Sequence, residues 1–379
     1  MESELTELLE TLVAIPSVNP GFGGDGEGRL GEFVAEWLSQ RGMAVEVQEV
    51  FPGRNNIIAR CAGESTGPAW LLDAHLDTVG VEGWAKGSPF EPSREGNRLY
   101  GRGSCDTKAS LAVFMSVAAY FARNSSELGS PLVFAGTVDE EIGQTGAAAL
   151  AELELDLLGA VVGEPTRLEI EHAHKGVLRF AVTTCGLAAH SSRPERGENA
   201  IMRMGRVLER FSVYEQELKN SPGDPSLGNP TVSVGIIGGG KGVNIVPDVC
   251  RIEVDRRMIP GETPEAILRR IESLLQECPT AEVEESSIMS RSGLATSTSH
   301  PICRALSSAL ERAGETPRFV SSPGMTNAGI YAKASLPAVV FGPGDIRMAH
   351  TVDEWVDIGY LPRAFEVLRQ FLSHPLMST

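Results

Sequence analysis

The sequence predicts an α/β protein, with a mostly parallel sheet in a larger domain and a smaller α+β domain inserted into it. Apolar runs that indicate strands alternate with helical patterns at both ends of the chain, which is typical of a parallel sheet covered by helices. Between residues 175 and 290 the pattern changes to about two strands for each helix, which favours an antiparallel sandwich. The 379 residues are enough for two domains. We therefore expect residues 1–174 and 291–379 to form the larger domain and residues 175–290 the inserted one.

In the first segment, helices are predicted by apolar residues three and four positions apart, and strands by short apolar or alternating runs. The run over 69–74 is almost entirely apolar, which indicates a central strand buried on both faces. The predicted elements are a helix capped by Ser3 and extending to Val13, a helix over 30–38, strands over 45–47, 56–60 and 69–74, a helix over 106–123, a strand over 131–138, a helix over 147–153 and a strand over 159–163.

The middle segment opens with an alternating strand, and the earlier α/β alternation returns after residue 292. The predicted elements of the middle segment are a strand over 177–184, a helix over 198–216, strands over 231–237 and 250–256, a helix over 264–276 and a strand over 282–289. Those of the last segment are a helix over 301–313, a strand over 338–342 and a helix over 355–373.

Charge and composition exclude several classes of partner. A net charge of −17 and a pI near 4.9 argue against nucleic acid and against an anionic membrane surface. The N-terminus lacks the pattern of a secretory signal, and the longest weakly charged apolar run, over 109–122, is too short to cross a bilayer. The six cysteines are scattered without a C-x-x-C pair. We therefore expect neither a disulfide framework nor a thiolate metal cage, and we expect a cytoplasmic location.

The segment Trp70-Leu-Leu-Asp-Ala-His75-Leu-Asp77-Thr contains the first candidate for chemistry. His75 and Asp77 follow an apolar strand at a spacing that places both side chains on the same side of the chain. A histidine beside a carboxylate is a common way to build a metal ligand, because the carboxylate orients one ring nitrogen while the other binds the ion. The pair alone is weak evidence, since a polar pair that merely ends a strand is more common.

Further carboxylates and a second histidine lie where predicted strands or turns end. Asp106 follows the turn Gly101-Arg-Gly, where the simpler interpretation is the N-cap of a helix. Glu140 and Glu141 follow an apolar strand, and a surface pair is the simpler interpretation there. Glu164 lies between a glycine and a proline at another strand end, and His350 follows a glycine-rich loop. In open α/β sheets, functional groups gather at the carboxyl ends of strands, so we expect these side chains to meet.

Taken together, these positions supply two imidazoles and four or five carboxylates. That mixture of nitrogen and oxygen ligands suits zinc or cobalt better than calcium, which prefers oxygen alone. Two metals about 3.5–4 Å apart, bridged by a carboxylate and a water, are a common arrangement for hydrolysis. Two adjacent carboxylates can divide the work, because one ligates a metal while the other takes a proton from water.

The H-x-D, G-R-G-x-x-D-x-K and D-E-E segments in this order resemble the dinuclear zinc amidohydrolase family of acetylornithine deacetylase, succinyl-diaminopimelate desuccinylase, aminoacylase and carboxypeptidase G. The resemblance covers nearly the whole chain and implies a metal-binding catalytic domain with an inserted lid and dimerisation domain. The implied metal ligands are His75 and Glu164 at one ion, Glu141 and His350 at the other, and Asp106 as the bridge. It further implies that Asp77 orients His75, and that Glu140 is the general base that takes a proton from water and later gives it to the leaving amine.

The same resemblance assigns roles outside the metal set. His190, in Gly186-Leu-Ala-Ala-His190-Ser-Ser, matches a histidine that polarises the scissile carbonyl, and Asn244 and Arg257 match positions that hold the substrate carboxylate. The chain departs from the family pattern at two places. Ala109 stands where glycine is usual, and Asn327 replaces a carboxylate in a late loop whose residues the resemblance places at the substrate.

We therefore expect a hydrolase with two divalent metals, most simply zinc with cobalt able to substitute, that removes the acyl group from an N-acyl amino acid. The acetylornithine deacetylase-like or succinyl-diaminopimelate desuccinylase-like activity leads, and a dipeptidase or carboxypeptidase of the same fold is the alternative. A non-catalytic binding relative would be expected to lose Glu140 or a ligand, and a cysteine hydrolase would use Cys105, which has no obvious histidine partner. The resemblance also implies a homodimer with shared active sites, in which His190 serves the partner's site. The alternative is that His190 acts within its own chain or only packs in the lid.

Overall fold

A computed structural model of the protein describes residues 2–61, 67–278 and 280–374. The chain divides into two compact units. The first unit contains the described residues up to Ala173, the segment Ala295–Ser321 and the described residues from Thr326 onward. The second unit contains His174–Leu294 and Ser322–Met325, so that it is inserted between segments of the first.

The first unit alternates strands and helices. Its elements before the second unit are α1 (Glu2–Ala14), α2 (Gly28–Ser39), β1 (Ala44–Phe51), β2 (Arg54–Cys61), β3 (Ala69–His75), β4 (Ser93–Glu95), β5 (Arg98–Tyr100), α3 (Lys108–Arg123), β6 (Leu132–Thr137), α4 (Thr145–Ala151), β7 (Leu157–Val162) and β8 (Ile170–His174).

The second unit has a higher proportion of strand. Its elements are β9 (Gly176–Cys185), β10 (Ala189–His190), α5 (Ala200–Lys219), β11 (Thr231–Gly239), β12 (Ile245–Val246), β13 (Val249–Met258), α6 (Pro264–Leu275), β14 (Ala281–Val283) and β15 (Met289–Arg291). The strand β16 (Leu294–Ala295) joins the two units, and the first unit then continues with α7 (Pro301–Arg312), β17 (Phe319–Ser322), α8 (Ala328–Lys333), β18 (Ala338–Val340), β19 (Trp355–Asp357) and α9 (Tyr360–Leu372).

The large sheet has the order β1-β2-β6-β3-β7-β18-β8-β16, and β17 also pairs with β8. Its centre is parallel, because β3 runs parallel to both β6 and β7, and β7 runs parallel to β18. The strands β1 and β2 extend the sheet as an antiparallel edge. Every residue of β3 is buried, as its apolar sequence predicts. The prediction of an α/β fold with a mostly parallel sheet is confirmed.

Helices cover the faces of this sheet. Helix α3 is buried along most of its length, and its apolar residues share one core with α1, α2 and α9. The rings of Trp70 in β3 and Phe371 in α9 lie 4.7 Å apart, which joins the central strand to the last helix. Among the described residues, no helix combines the length and apolarity needed to span a bilayer.

The second unit is a sheet of order β11-β13-β9-β14, with β15 also paired with β9, and all of these pairs are antiparallel. Helices α5 and α6 bury their apolar faces against it, with Phe211 and Ile271 in the core. The strand β11 forms one edge of the sheet. On this strand, Ile236 and Ile237 are 58% and 55% exposed.

Two predicted elements are wrong in their details. The last helix was expected to begin at Trp355, but Trp355–Asp357 form β19, which pairs with β5, and α9 begins only at Tyr360. The ring of Trp355 packs under Arg98, whereas the next side chain, Val356, is buried in the core. Neighbouring side chains thus alternate between two faces, as in a strand and not in a helix. The strand predicted over 282–289 is divided into β14 and β15 by a 3-10 turn over Glu285–Ser287.

The close contact of β7 with α3 generates a prediction about stability. A Cβ atom on Gly163 would lie 2.7 Å from Cβ of Ser110 and 3.0 Å from the ring of Phe114. We therefore expect Gly163→Ala to lower the free energy of unfolding by about 1–3 kcal/mol, because the core would be overpacked. Thermal unfolding followed by circular dichroism measures the effect.

Gly205 provides a matched control, because it lies inside α5 and a Cβ atom there would meet no atom within 4 Å. Gly205→Ala should stabilise the protein by about 0.5–1 kcal/mol, since glycine is unfavourable inside a helix. A Gly163→Ala protein that melts at or above the Gly205→Ala protein would contradict the packing described here.

Candidate active site

The histidines and carboxylates predicted as ligands meet at the carboxyl edge of the parallel strands. His75 is the last residue of β3, and Glu141 and Glu164 follow shortly after β6 and β7. Asp106 lies just before α3, and His350 lies in the connection between β18 and β19. The structure thus brings together residues that are up to 275 positions apart in sequence, from His75 to His350.

Asp106 lies between the two histidines. Its Oδ1 is 3.1 Å from Nε2 of His75, and its Oδ2 is 3.2 Å from Nε2 of His350. A second carboxylate accompanies each imidazole, because Glu164 Oε1 is 3.7 Å from His75 Nε2 and Glu141 Oε2 is 3.1 Å from His350 Nε2. The N-cap interpretation of Asp106 is wrong, since α3 begins at Lys108 and the side chain of Asp106 faces the histidines instead.

Asp77 accepts hydrogen bonds from the backbone of both neighbours in the Glu-Glu pair. The amide N–H groups of Glu140 and Glu141 donate to its two carboxylate oxygens at 2.9 and 3.1 Å. Nδ1 of His75 lies 3.0 Å from the Asp77 carbonyl oxygen and 3.5 Å from its carboxylate. The buried side chain of Asn19 also donates to Asp77, at 2.8 Å. Asp77 therefore connects the loop after β6 to the end of β3, and sequence reasoning did not find Asn19.

The carboxylates of this cluster are crowded and buried. Burial, opposed by His75 and reinforced by Glu141, raises the pKa of Glu140 to about 8. Burial and the adjacent charge of Asp106 raise the pKa of Glu141 to about 7 and that of Glu164 well above its ordinary value. The carboxylates beside His350 raise the pKa of that imidazole to about 10. Burial is the main cause of the raised pKa values of Glu140, Glu141 and Glu164, and the neighbouring carboxylates add to it, so positive charge bound there would lower these pKa values.

The arrangement of donor atoms suits divalent metal ions. One group, His75, Glu140 and Glu164, and a second, His75, Asp106 and Glu141, each offer ligand atoms within 4.8 Å of one another. Imidazole nitrogen and carboxylate oxygen are the ligands of catalytic zinc and related metals. Because the cluster also concentrates buried negative charge, the residues present fit two dications.

Glu140 is the most distinctive carboxylate of the set. Its side chain is buried, and Oε1 accepts a hydrogen bond from Nε2 of Gln144 at 3.0 Å. This hydrogen bond orients the carboxylate of Glu140, and Gln144 does not occupy the other oxygen, Oε2. Gln144 is itself buried and precedes α4, and no sequence pattern indicated this contact.

In the second unit, His190 and Asn244 lie side by side. The two-residue strands β10 and β12 pair His190 with Ile245, and the Asn244 carbonyl accepts from the N–H of Ser191 at 3.0 Å. The backbone N–H of Ser192 donates to Nδ1 of His190 at 3.1 Å, so that Nδ1 is the acceptor and Nε2 carries the proton in the neutral ring. His190 is exposed and therefore presents an N–H donor to solvent.

The two remaining substrate candidates already have partners. Nε of Arg257 donates to Asp255 Oδ1 at 2.8 Å, and the side chain of Arg257 is 29% exposed. Asn327 is buried in the first unit, where Nδ2 donates to Asp73 at 3.1 Å and to Thr137 at 3.0 Å. The contacts of Asn327 connect α8 to β3, and a contact with substrate by either residue stays a prediction.

Other candidates from the sequence have structural surroundings. Each of the four other histidines uses Nδ1 in a contact with backbone, namely His172, His174, His300 and His374. Cys105 is fully buried, and burial together with Glu354 and Asp106 raises the pKa of its thiol well above its ordinary value. A thiol held protonated in this way is a poor nucleophile, so the site does not support a cysteine hydrolase.

A parallel α/β sheet with buried carboxylates, the buried His75 and the exposed His350 at its carboxyl edge defines a metal-dependent hydrolase. Residues 71–374 match the sequence model of Peptidase family M20/M25/M40, and the chain belongs to this family. The resemblance inferred from the motifs is therefore confirmed, as is the prediction of a hydrolase that acts on amides.

Several proteins show the relationship over most of the chain. An acetylornithine deacetylase of Myxococcus xanthus is 37% identical over 329 residues, which cover 84% of this chain and 83% of that protein. An acetylornithine deacetylase of Proteus mirabilis is 30% identical and covers 97% of this chain and 96% of that protein.

Solved structures share the fold. The aminopeptidase PepT from Bacillus cereus has a TM-score of 0.79 at 21% identity and covers 98% of both chains. The YXEP protein of Bacillus subtilis, a dinuclear metal binding peptidase of the M20 family, has a TM-score of 0.73 at 18% identity and covers 98% of this chain and 97% of that chain.

Proposed function

We propose that the protein is an acetylornithine deacetylase-like enzyme that removes the acyl group from an N-acyl amino acid. The observation that supports a metal-dependent hydrolase is the position of Asp106 between His75 and His350, with Glu164 and Glu141 beside them. The relatives of 30% identity or more support a deacylase. The peptidase structures are 21% identical or less and support the fold alone, so a peptidase is not favoured.

The proposed ligands are His75 and Glu164 at one divalent ion, Glu141 and His350 at the other, and Asp106 between the two. Zinc is the most suitable metal for this nitrogen and oxygen set, and cobalt can replace it. When bound, such a pair of ions supplies Lewis-acid activation of water and of the amide carbonyl. Asp77 orients His75 and, through the N–H groups of Glu140 and Glu141, the carboxylates that follow β6.

Glu140 is the proposed general base. Its carboxylate accepts a proton from the attacking water and gives that proton to the amine as the amide bond breaks. Gln144 donates to Oε1 of Glu140, so Oε2 is the oxygen proposed to accept the proton of the attacking water. A group that must both take and give a proton works best when its pKa is near the working pH, and burial moves Glu140 in that direction.

The second unit is the proposed lid and dimerisation domain. His190 donates its Nε2–H to the scissile carbonyl oxygen, and Asn244 with Arg257 holds the substrate carboxylate. A guanidinium binds a carboxylate with a fixed fork of two donors, for which a substrate would compete with Asp255.

A homodimer is the proposed assembly. The edge strand β11, with Ile236 and Ile237 exposed, supports pairing with the same strand of a second copy, since such pairing removes an open sheet edge. A cytoplasmic location is proposed because the six cysteines are scattered along the sequence without a C-x-x-C pair. The acidity of the chain supports partners other than nucleic acid or anionic membranes.

A substrate panel tests the proposed activity. The purified protein, supplied with zinc or cobalt, would be assayed with N-acetyl-, N-succinyl- and N-formyl-amino acids, with N-acetylornithine among them, and with dipeptides. We expect the highest kcat/KM with an N-acyl amino acid and loss of activity after chelation. A higher kcat/KM with dipeptides would support the peptidase alternative instead, and full activity in chelator would overturn the metal assignment.

Glu140 and Glu141 should differ although they are neighbours. Glu140→Ala should retain metal and lose about 10²–10⁴-fold in kcat, because general acid–base catalysis contributes that much. Glu141→Ala should instead lose metal at one site, which metal analysis of the purified protein detects. A Glu140→Ala enzyme with near-normal kcat would show that the roles of the two residues are assigned wrongly.

The dimer proposal predicts complementation between two inactive variants. If His190 serves the partner's site, a mixed dimer of Glu140→Ala and His190→Ala contains one site with both groups intact. Each variant alone should be nearly inactive, and co-expressed chains should regain activity. The control is each variant mixed with itself. Mixed dimers that are confirmed by separate tags but show no recovery would place His190 within its own chain.

A further inference from the structure

Glu354 is a buried carboxylate that no sequence pattern indicated. Its side chain is 1% exposed, and it lies between His350 and β19. Oε1 accepts hydrogen bonds from the backbone N–H groups of Cys105 and Asp106, both at 2.9 Å. Oε2 accepts from the N–H of Gly103 at 2.9 Å and from the guanidinium of Arg102 at 2.8 Å. All four donors belong to one short segment.

That segment, residues 102–106, is the connection that leads into α3 and ends with Asp106. The N–H groups of residues 103, 105 and 106 do not take part in helix or sheet hydrogen bonds. The carboxylate of Glu354 accepts hydrogen bonds from all three. Gly103 has a φ of 82°, and a Cβ atom there would lie 2.7 Å from the Thr78 side chain. Several backbone N–H groups turned toward one anion form a concave site of the kind that proteins use for phosphate, and here an internal carboxylate occupies it.

The same carboxylate ties two ligand segments together. The carbonyl oxygen of Glu354 also accepts a hydrogen bond from the N–H of Gly101 at 3.1 Å. The backbone of residues 101–106 is therefore hydrogen-bonded to the segment that contains His350 and Glu354. In the cluster, Oδ2 of Asp106 lies 3.2 Å from Nε2 of His350. A change at Glu354 would therefore disturb Asp106 through its own N–H group and His350 through the chain.

We propose that Glu354 is a positioning residue that holds Asp106 between His75 and His350 and so determines how tightly the cluster binds divalent metal. This inference rests on the proposed role of Asp106 as a metal ligand. The simpler interpretation is an ion pair with Arg102 that contributes only to stability, since Arg102 is also buried. The two interpretations differ in what the backbone donors do, because only the first depends on the N–H groups of Cys105 and Asp106.

Two variants separate these interpretations. Glu354→Gln keeps the shape of the side chain but places an amide N–H₂ against backbone donors that need an acceptor. Arg102→Met removes the same ion pair and leaves the carboxylate available to all three backbone N–H groups. Both variants and the wild type would be prepared free of metal and titrated with cobalt, following the visible absorption of the bound ion, and thermal unfolding of the metal-free proteins would be recorded.

We expect Glu354→Gln to bind cobalt about 10–100-fold more weakly, as is usual when a group that orients a ligand is lost, with a changed absorption spectrum. Arg102→Met should be destabilised but should bind cobalt with an affinity and spectrum near those of the wild type. Equal weakening in both variants, or unchanged cobalt affinity in Glu354→Gln, would overturn the inference.

If Glu354→Gln does not fold, Glu354→Asp replaces it, because aspartate keeps the charge but withdraws the carboxylate by one methylene. Cobalt binding at least about tenfold weaker than in the wild type supports the inference, and wild-type affinity overturns it. A wild-type protein that binds no cobalt is a separate result, since it would overturn the proposed metal-dependent function itself.

Discussion

The main constraint on this structure is the burial of several carboxylates close together at the carboxyl edge of the sheet. Asp106, Glu140, Glu141 and Glu164 are close enough that burial and mutual repulsion raise the pKa of three of them, while Asp106 between two imidazoles has a lowered pKa. Such a cluster is costly unless cations balance it. A fold that contains such a cluster must keep these side chains close together although they repel each other. The parallel strands contribute by placing the loops that carry them at the same edge of the sheet.

Backbone donors provide much of that restraint. Asp77 accepts from the N–H groups of Glu140 and Glu141, and Glu354 accepts from those of Cys105 and Asp106. In both cases a buried carboxylate holds the loop that carries the ligands, rather than touching the ligand side chain alone. Loops of this kind contain no ladder of their own, and an internal anion satisfies N–H groups that would otherwise be costly to bury.

The sequence was sufficient for the strands that carry the cluster, because apolar runs have a local pattern, and the residues of the cluster followed from the order of the motifs shared with a known family. It was not sufficient for Asn19, Gln144 and Glu354, which act through contacts that no local pattern records. Glu354 contacts Asp106 across 248 positions, and Asn19 contacts Asp77 across 58. The helix predicted to begin at Trp355 was wrong for a related reason. Whether that segment forms a strand or a helix is decided by its pairing with β5, which is distant in sequence.

The proposed function assigns the chemistry to residues of the first unit and the selectivity to residues of the second. The cluster in the first unit, if it acts as proposed, can hydrolyse an amide whatever lies on either side of the bond, and it therefore does not by itself distinguish a deacylase from a peptidase. The residues predicted to read the substrate, His190, Asn244 and Arg257, all belong to the second unit. His190 already has the tautomer that a carbonyl oxygen requires, whereas the guanidinium of Arg257 is paired with Asp255. If Arg257 holds the substrate carboxylate as proposed, Asp255 competes for part of the same guanidinium, so discrimination among substrates would depend on this competition as well as on the fit of the acyl group.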